Sequence, residues 1–178
     1  MADDFSFQNL VSSMPQQQQQ TLWDGLNSAV PQAYPMMPQQ TNLPQANAAM
    51  NLSPQEQQLY MRHITNLYGP GGVDNAPTPD NPQGSRSTLY QTVEPHDGKY
   101  YNIPTVWDGQ IQTQRYQRPG DGQQFDIANQ TTLNNVGKAG WNTFPSYGSG
   151  EEADARYGQM HDYLDKDTSE YYRNKGSR

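Results

Sequence analysis

The chain has 178 residues, of which 32% are hydrophobic and 16% are charged, with a net charge of −7 and no cysteine. The missing cysteines exclude disulfides, thiolate metal sites and cysteine nucleophiles. The acidic balance argues against direct binding of duplex DNA, which needs Lys and Arg to neutralise phosphates. Since an ordinary globular chain is about 45–50% apolar, we expect part of this chain to be ordered only against partners.

The opening sequence, MADDFSFQNLVSSM, is not typical of a targeting segment. It lacks a basic start and a long apolar core, so we do not expect a signal peptide. Nowhere does the sequence approach the roughly 18 consecutive apolar residues of a membrane span. We therefore expect a soluble protein that is made in a cytoplasm.

Residues 1–50 have the composition of a low-complexity arm. They are rich in Gln and Pro, and Lys and Arg are absent until Arg62. The closely spaced prolines at 31, 35, 38 and 44 disfavour a long helix and a central strand, so extended structure is predicted. Spaced apolar residues in such a segment indicate a docking arm, although a solubilising tail is the alternative. The predicted arm anchors are Phe5, Phe7, Leu22, Trp23, Tyr34 and Met37.

The next segment predicts a helix over 51–69. Ser53 is a suitable N-cap, Pro54 fits the first turn, and Glu56 completes a capping box. Gly69 and Pro70 end the helix. The expected buried stripe consists of Tyr60, Ile64, Leu67 and Tyr68, with Leu59 and His63 beside it.

After a loop, residues 85–109 predict a β-hairpin. STLYQTV alternates in strand fashion, EPHDG is the turn, and KYYNIPTVWDG is the return strand. Tyr101, Ile103 and Thr105 are expected on one face. Pro104 lacks an amide donor, so the return strand is predicted to be an edge or to be bulged there. The sequence WDGQI predicts a second turn.

The C-terminal third is predicted to be irregular over 112–128, helical over 131–139, and helical again in a long final segment. Gly140 ends the shorter helix. Ser149 and Glu152 form a second capping box, and the long helix is expected to reach about Tyr172. Its core-facing stripe is Ala153, Tyr157, Met160 and Leu164.

These elements predict a small α+β domain over residues 51–173 (capped helix, β-hairpin, short helix, long C-terminal helix), with an extended Gln/Pro-rich arm before it and a tail over 174–178. Trp107 is assigned either to the core or to an interface. The residues expected to form the domain core or an interface are Tyr101, Ile103, Trp107, Trp141, Phe144, Tyr157 and Met160.

The sequence contains no pattern that we interpret as catalytic. The acidic residues that could form a carboxylate pair lie in turn contexts, where Asp and Gly are ordinary turn formers. The three histidines lack the spacing of a zinc site, and the glycine-rich stretches lack a phosphate-loop lysine. We therefore expect a non-enzymatic interaction protein without catalytic residues, metal or cofactor. The acidic residues considered are Glu94, Asp97, Asp108, Asp121 and Asp126.

Three segments in order resemble a small module of tailed-bacteriophage virion structural proteins. The first is LSPQEQQLYMRHITNLYGPGGVDN, the second GSRSTLYQTVEPHDGKYYNIPTVWDGQI, and the third AGWNTFPSYGSGEEADARYGQMHDYLDKD. The pattern is a G-x-x-S-T strand, a D-G…I-P-T-V-x-D-G strand and an E-E-A-x-A-R-Y-x-x-M-H helix. It covers about residues 53–168, whereas the arm and the stretch TQRYQRPGDGQQFD depart from it.

The resemblance implies a structural component of the phage particle, made in the host cytoplasm and located in the virion. Its implied partners are other virion proteins: portal, tail or major capsid protein. We expect several symmetric copies, in the portal or head–tail connector, in the tail apparatus, or as an internal ejection protein. The alternatives are a capsid decoration protein, an accessory cell-wall-binding module in which Trp107 and Trp141 stack on sugars, and a host-directed regulator.

Overall fold

The computed structural model describes residues 41–79, 82, 84–120 and 122–176, which form a mixed α+β fold. Contacts divide the chain between Pro35 and Met36, so all the described residues belong to the C-terminal unit. The predicted arm anchors, Phe5, Phe7, Leu22, Trp23, Tyr34 and Met37, lie outside the described residues.

A helical layer is formed by α1 (Leu43–Met50), α2 (Pro54–Tyr68) and the long α4 (Gly150–Gly176). Although the proline spacing assigned residues 43–50 to the extended arm, they form α1. Pro44 is tolerated there because it occupies the first turn. Ala46 is fully buried, so α1 belongs to the core of the domain.

The predicted start of α2 is confirmed. Ser53 Oγ accepts a hydrogen bond from Glu56 N at 3.2 Å, and Glu56 Oε2 accepts one from Ser53 N at 2.8 Å. Tyr60, Ile64 and Leu67 are buried along the predicted stripe.

The start of α4 also follows its capping signal, because Glu152 N donates to Ser149 Oγ at 3.1 Å. The helix continues to Gly176, beyond the predicted end near Tyr172 and into the predicted tail. The buried members of its stripe are Ala153, Met160 and Leu164, and Asp167 is buried one turn further along.

The central sheet has the antiparallel order β3 (Gln91–His96), β4 (Lys99–Pro104), β9 (Ser146–Tyr147). The hairpin prediction is confirmed, but the first strand begins later and the turn is tighter than EPHDG. Asp97 and Gly98 have φ values of 46° and 74°. Two positive φ values are required by the two-residue type I′ turn, for which Asp-Gly is a preferred pair.

The prediction that β4 is an edge strand is wrong, since β4 lies between β3 and β9. Pro104 is accommodated because β9 pairs only with Tyr100 and Tyr101, so β4 has no β9 neighbour at its end. Thr105 lies beyond the strand in a buried link, where its hydroxyl donates to the carbonyl of Tyr90.

The described residues also form three two-stranded ribbons. They are β1 (Val73–Asn75) with β2 (Ser85–Ser87), β5 (Val106–Trp107) with β6 (Gln110–Ile111), and β7 (Thr113–Gln117) with β8 (Gln124–Ala128). The predicted turn in WDGQI is confirmed between β5 and β6. The prediction of irregular structure over 112–128 is wrong, because the mostly polar β7–β8 ribbon gave no apolar periodicity to detect.

Both faces of the β3–β4 hairpin are covered. On one face Asn102 Nδ2 donates to the α4 carbonyl of Ala153 at 2.9 Å. On the other face Ile103 packs with Ala128 of β8 and Val136 of α3 (Gln130–Ala139), whose predicted end at Gly140 is confirmed. A 3₁₀ turn over Trp141–Thr143 follows α3. The hairpin is therefore the middle layer between α4 and the α3–β8 side.

Candidate functional site at the root of the arm

The root of the arm is the point at which the described chain enters the domain, immediately before α1. Asn42 donates two hydrogen bonds to Asp167 Oδ1, one from its backbone N and one from its side-chain Nδ2, both at 2.8 Å. Asp167 is only 2% exposed. Two donors on one buried carboxylate oxygen fix both the backbone and the side chain of Asn42.

The other oxygen of the same carboxylate is bound by Tyr60. The Tyr60 hydroxyl donates to Asp167 Oδ2, and the ring of Tyr60 is fully buried. Burial and the adjacent Asp167 carboxylate raise the pKa of Tyr60 above its ordinary value, because both disfavour a phenolate. Tyr60 therefore remains a hydrogen-bond donor, and Asp167 joins α2, α4 and the arm root.

A second buried network lies at the other end of α1. Arg156 donates from Nε to Glu56 Oε1 at 2.7 Å and from Nη2 to Glu56 Oε2 at 2.9 Å. A third donor, Nη1, reaches the carbonyl of Met50 at 3.1 Å. This bidentate pair thus links α4 to α2 and to the last residue of α1.

Glu56 also accepts hydrogen bonds from the Tyr147 hydroxyl at 3.0 Å and from the Ser53 amide. Burial by itself would raise the pKa of this carboxyl. The hydrogen bonds from Arg156, Ser53 and Tyr147 outweigh burial and hold the pKa of Glu56 below its ordinary value. A charged Glu56 is thus the acceptor on which α2, α4 and β9 converge.

His63 is packed in the interior and is 1% exposed. Its Nδ1 lies 2.6 Å from Thr88 Oγ1, and Asn66 Nδ2 donates to the Thr88 carbonyl at 2.6 Å. Burial lowers the pKa of His63 to about 4, so the imidazole is neutral near neutral pH. These contacts attach the link before β3 to α2.

The residues predicted as core or interface fall into two clusters, except Tyr157, which belongs to neither. Tyr101 and Ile103 are buried, and Trp107, Trp141 and Phe144 are half-buried around them. Met160 is buried in the other cluster, between the helices and Leu89. Tyr157 is half-buried on α4, with its ring edge-on to His161 at 5.4 Å between centroids.

The rings of Trp107 and Trp141 each have an intramolecular partner on one face. The guanidinium of Arg62 lies 4.0 Å from the centroid of the Trp107 ring, and the indole Nε1 donates to the carbonyl of Pro104 at 2.7 Å. The Trp141 ring stacks on His96 with centroids 4.0 Å apart and 12° between planes. Both rings therefore hold parts of the domain together.

Two of the acids predicted to lie in turns, Glu94 and Asp126, lie in strands β3 and β8 and accept hydrogen bonds. Glu94 Oε1 accepts from Ala128 N at 2.7 Å, and Asp126 accepts from the Tyr90 hydroxyl at 2.6 Å. In the described part of the chain no group of three His, Asp or Glu side chains is placed to hold a metal ion. No helix described here is both long and apolar enough to cross a membrane.

Sequence reasoning did not identify Asn42, Arg156 or Asp167 as members of a site. A signal for Asp167 was present, because it falls three residues after Leu164 on the apolar stripe of α4. A carboxylate at such a position indicates a buried acceptor in need of donors. The identity of those donors was not readable, since Asn42 is 125 residues away.

Comparisons with protein-family models, with curated proteins and with solved structures gave no match to this chain.

Proposed function

We propose that this protein is a non-enzymatic structural component of a bacteriophage particle that binds along a symmetric assembly through its N-terminal arm. The resemblance of residues 53–168 to a virion module motivates the class of protein. The proposed location is the portal or tail apparatus, or the particle interior as an ejected protein. Its partners are then other virion proteins.

The observation that carries this proposal is the double hydrogen bond from Asn42 to buried Asp167. An arm that holds a domain on a particle transmits any pull to the residue at which it joins the domain. Here Asn42 is bonded to a carboxylate shared with Tyr60, and the next eight residues form α1, whose Ala46 lies in the core with Leu43 and Met50 packed against it. Load on the arm would therefore reach α2 and α4 rather than unravel the chain residue by residue.

The polar character of the arm also supports this function. Uncharged amides donate and accept hydrogen bonds at a lower desolvation cost than ions, so a Gln-rich segment can be satisfied along a protein surface. Repetition of the same contact around a symmetric ring multiplies its effect. The cell-wall alternative has less support, because Arg62 and His96 each cover one face of the tryptophan rings that would stack on sugars.

The first experiment is the copy number of the protein in purified particles, measured by quantitative mass spectrometry. About 6 or 12 copies supports a place on the portal or tail axis, and on the order of hundreds supports capsid decoration instead. Absence from the particles contradicts the proposal.

The second experiment removes residues 1–40 and leaves Asn42 and α1 in place, because α1 belongs to the core. We expect the truncated domain to fold but to occupy particles at a much reduced level. The matched variant keeps the length of the arm and replaces all of its predicted anchors by Ser, and it should also be depleted. Normal occupancy of both variants contradicts arm-mediated binding.

A further inference from the structure

The outer edge of β7 has no strand partner among the described residues. Asn129 N donates to the Gln112 carbonyl at 3.2 Å, and Arg118 N donates to the Gln123 carbonyl at 2.8 Å. The backbone groups of Gln112 and Arg118 are therefore directed towards the β8 side. Antiparallel pairing alternates along a strand, so Gln114 and Tyr116 also direct their backbone groups to β8. The amides and carbonyls of the residues between them, Thr113, Arg115 and Gln117, point to the opposite edge.

This edge is accessible. β7 and β8 form a two-stranded sheet in the described part of the chain, and the four residues 114–117 are exposed. The Tyr116 side chain is 43% exposed. An exposed strand edge with free amides and carbonyls is a template for another strand.

The side chains beside this edge define the chemistry of its occupant. Arg115 is 72% exposed, 3.2 Å from Asp126, and Arg118 lies on the Phe125 ring with 4.6 Å to its centroid. The face that carries Tyr116 and Phe125 is aromatic. The matching strand has a carboxylate for the largely exposed Arg115 and alternating aromatic residues for the face of Tyr116 and Phe125.

The start of this chain has that chemistry. Residues 3–11, DDFSFQNLV, begin with two aspartates, place Phe5 and Phe7 on one side of a strand, and contain neither proline nor a basic residue. We propose that residues 3–11 of one copy add as a third strand to the outer edge of β7 in another copy.

The intervening chain is long enough for such an exchange. About 30 residues separate Val11 from Asn42, and an extended chain of that length spans at most about 100 Å. The inference rests on the proposed function, because it names a second copy as the partner of the first part of the arm. Successive exchanges would connect neighbouring copies around a symmetric assembly.

The test is sedimentation velocity of the purified full-length protein and of two variants at one position. Gln117→Pro removes an amide from the free edge and none from the β7–β8 ladder, whereas Gln117→Thr retains the amide. We expect the wild type and Gln117→Thr to self-associate with rising concentration. Gln117→Pro should associate at least about tenfold more weakly. Equal association of the two variants, or a wild type that stays monomeric at all concentrations, overturns the proposal.

A synthetic peptide of residues 1–14 provides a second measurement on the same full-length protein. Excess peptide should dissociate the wild-type oligomer, and a peptide with Phe5→Ser and Phe7→Ser should not. Equal effects of the two peptides also overturn the proposal. Particle occupancy is not part of this assay, so the strand exchange and the virion role can fail separately.

Discussion

The arm root and the β7–β8 ribbon are both built from polar residues, but they use polarity in opposite ways. Asp167 at the root is buried at 2% exposure, and Glu56 at the other end of α1 is buried at 4%. Both carboxylates accept hydrogen bonds from several elements. On the ribbon, Arg115 and Tyr116 face solvent, and one backbone edge has no strand partner in the described part of the chain. The difference indicates that the root stabilises the domain, whereas the exposed side chains of β7 contribute little to its stability. In the same ribbon, β8 does contribute, through buried Ala128.

The largest expected effect is at the Glu56–Arg156 pair. Arg156→Met leaves a buried carboxylate without its cation, and we expect a loss of about 3–5 kcal/mol in the free energy of unfolding. Chemical denaturation monitored by circular dichroism measures it. In the double variant Glu56→Gln/Arg156→Met no unpaired charge remains, so at least half of the loss should be recovered. An Arg156→Met variant as stable as the wild type would contradict the stabilising role of this ion pair.

The next effect is a dependence on pH that originates at His63. Its pKa is 6.5 when exposed and about 4 in the folded protein, so the unfolded chain binds more protons between these values. Stability should therefore be full above pH 6.5 and fall by about 3 kcal/mol as the pH drops to 4.

Denaturation curves across this pH window test the assignment in two histidine variants. His63→Gln should flatten the decline. His161→Gln, which changes a half-exposed histidine on α4, should preserve it. A decline that persists unchanged in His63→Gln would assign the pH dependence to other groups.

A smaller loss is expected at Asp167. Asp167→Ala deprives the buried Tyr60 hydroxyl and Asn42 of their acceptor, at a cost of about 2 kcal/mol. Asp165→Ala removes an exposed carboxylate from the same helix and should change stability by less than about 0.5 kcal/mol. Hydrogen exchange of the α1 amides should accelerate only in the Asp167 variant. Unchanged protection there would show that the root is not held by this carboxylate.

The smallest effect is expected on the ribbon. Tyr116→Ser should leave the free energy of unfolding within about 0.5 kcal/mol of the wild type, because the side chain is exposed and nothing is left unsatisfied. The comparison between root and ribbon would fail if thermal denaturation of this variant showed a loss as large as that of Asp167→Ala.

Local signals in the sequence predicted most of the regular elements. The capping residues Ser53 and Ser149 located two helix starts, and the Asp-Gly pairs at 97–98 and 108–109 located two turns. These signals work because a cap or a type I′ turn is satisfied by residues within four positions of each other. The β7–β8 ribbon was missed because its strands carry little apolar periodicity. The helix α1 was missed because Pro44 and the prolines before it suggested extended structure.

The sequence by itself therefore determined the class of the domain, the starts of its two longer helices, and the hairpin at its centre. Tertiary structure alone decided that β4 is a middle strand and that the domain begins with α1. It also decided that Asp167 meets Asn42 across 125 positions and that Arg156 meets Glu56 across 100. The physical reason is that a buried polar group must find its partner wherever packing places one, and no local pattern in the chain encodes that distance.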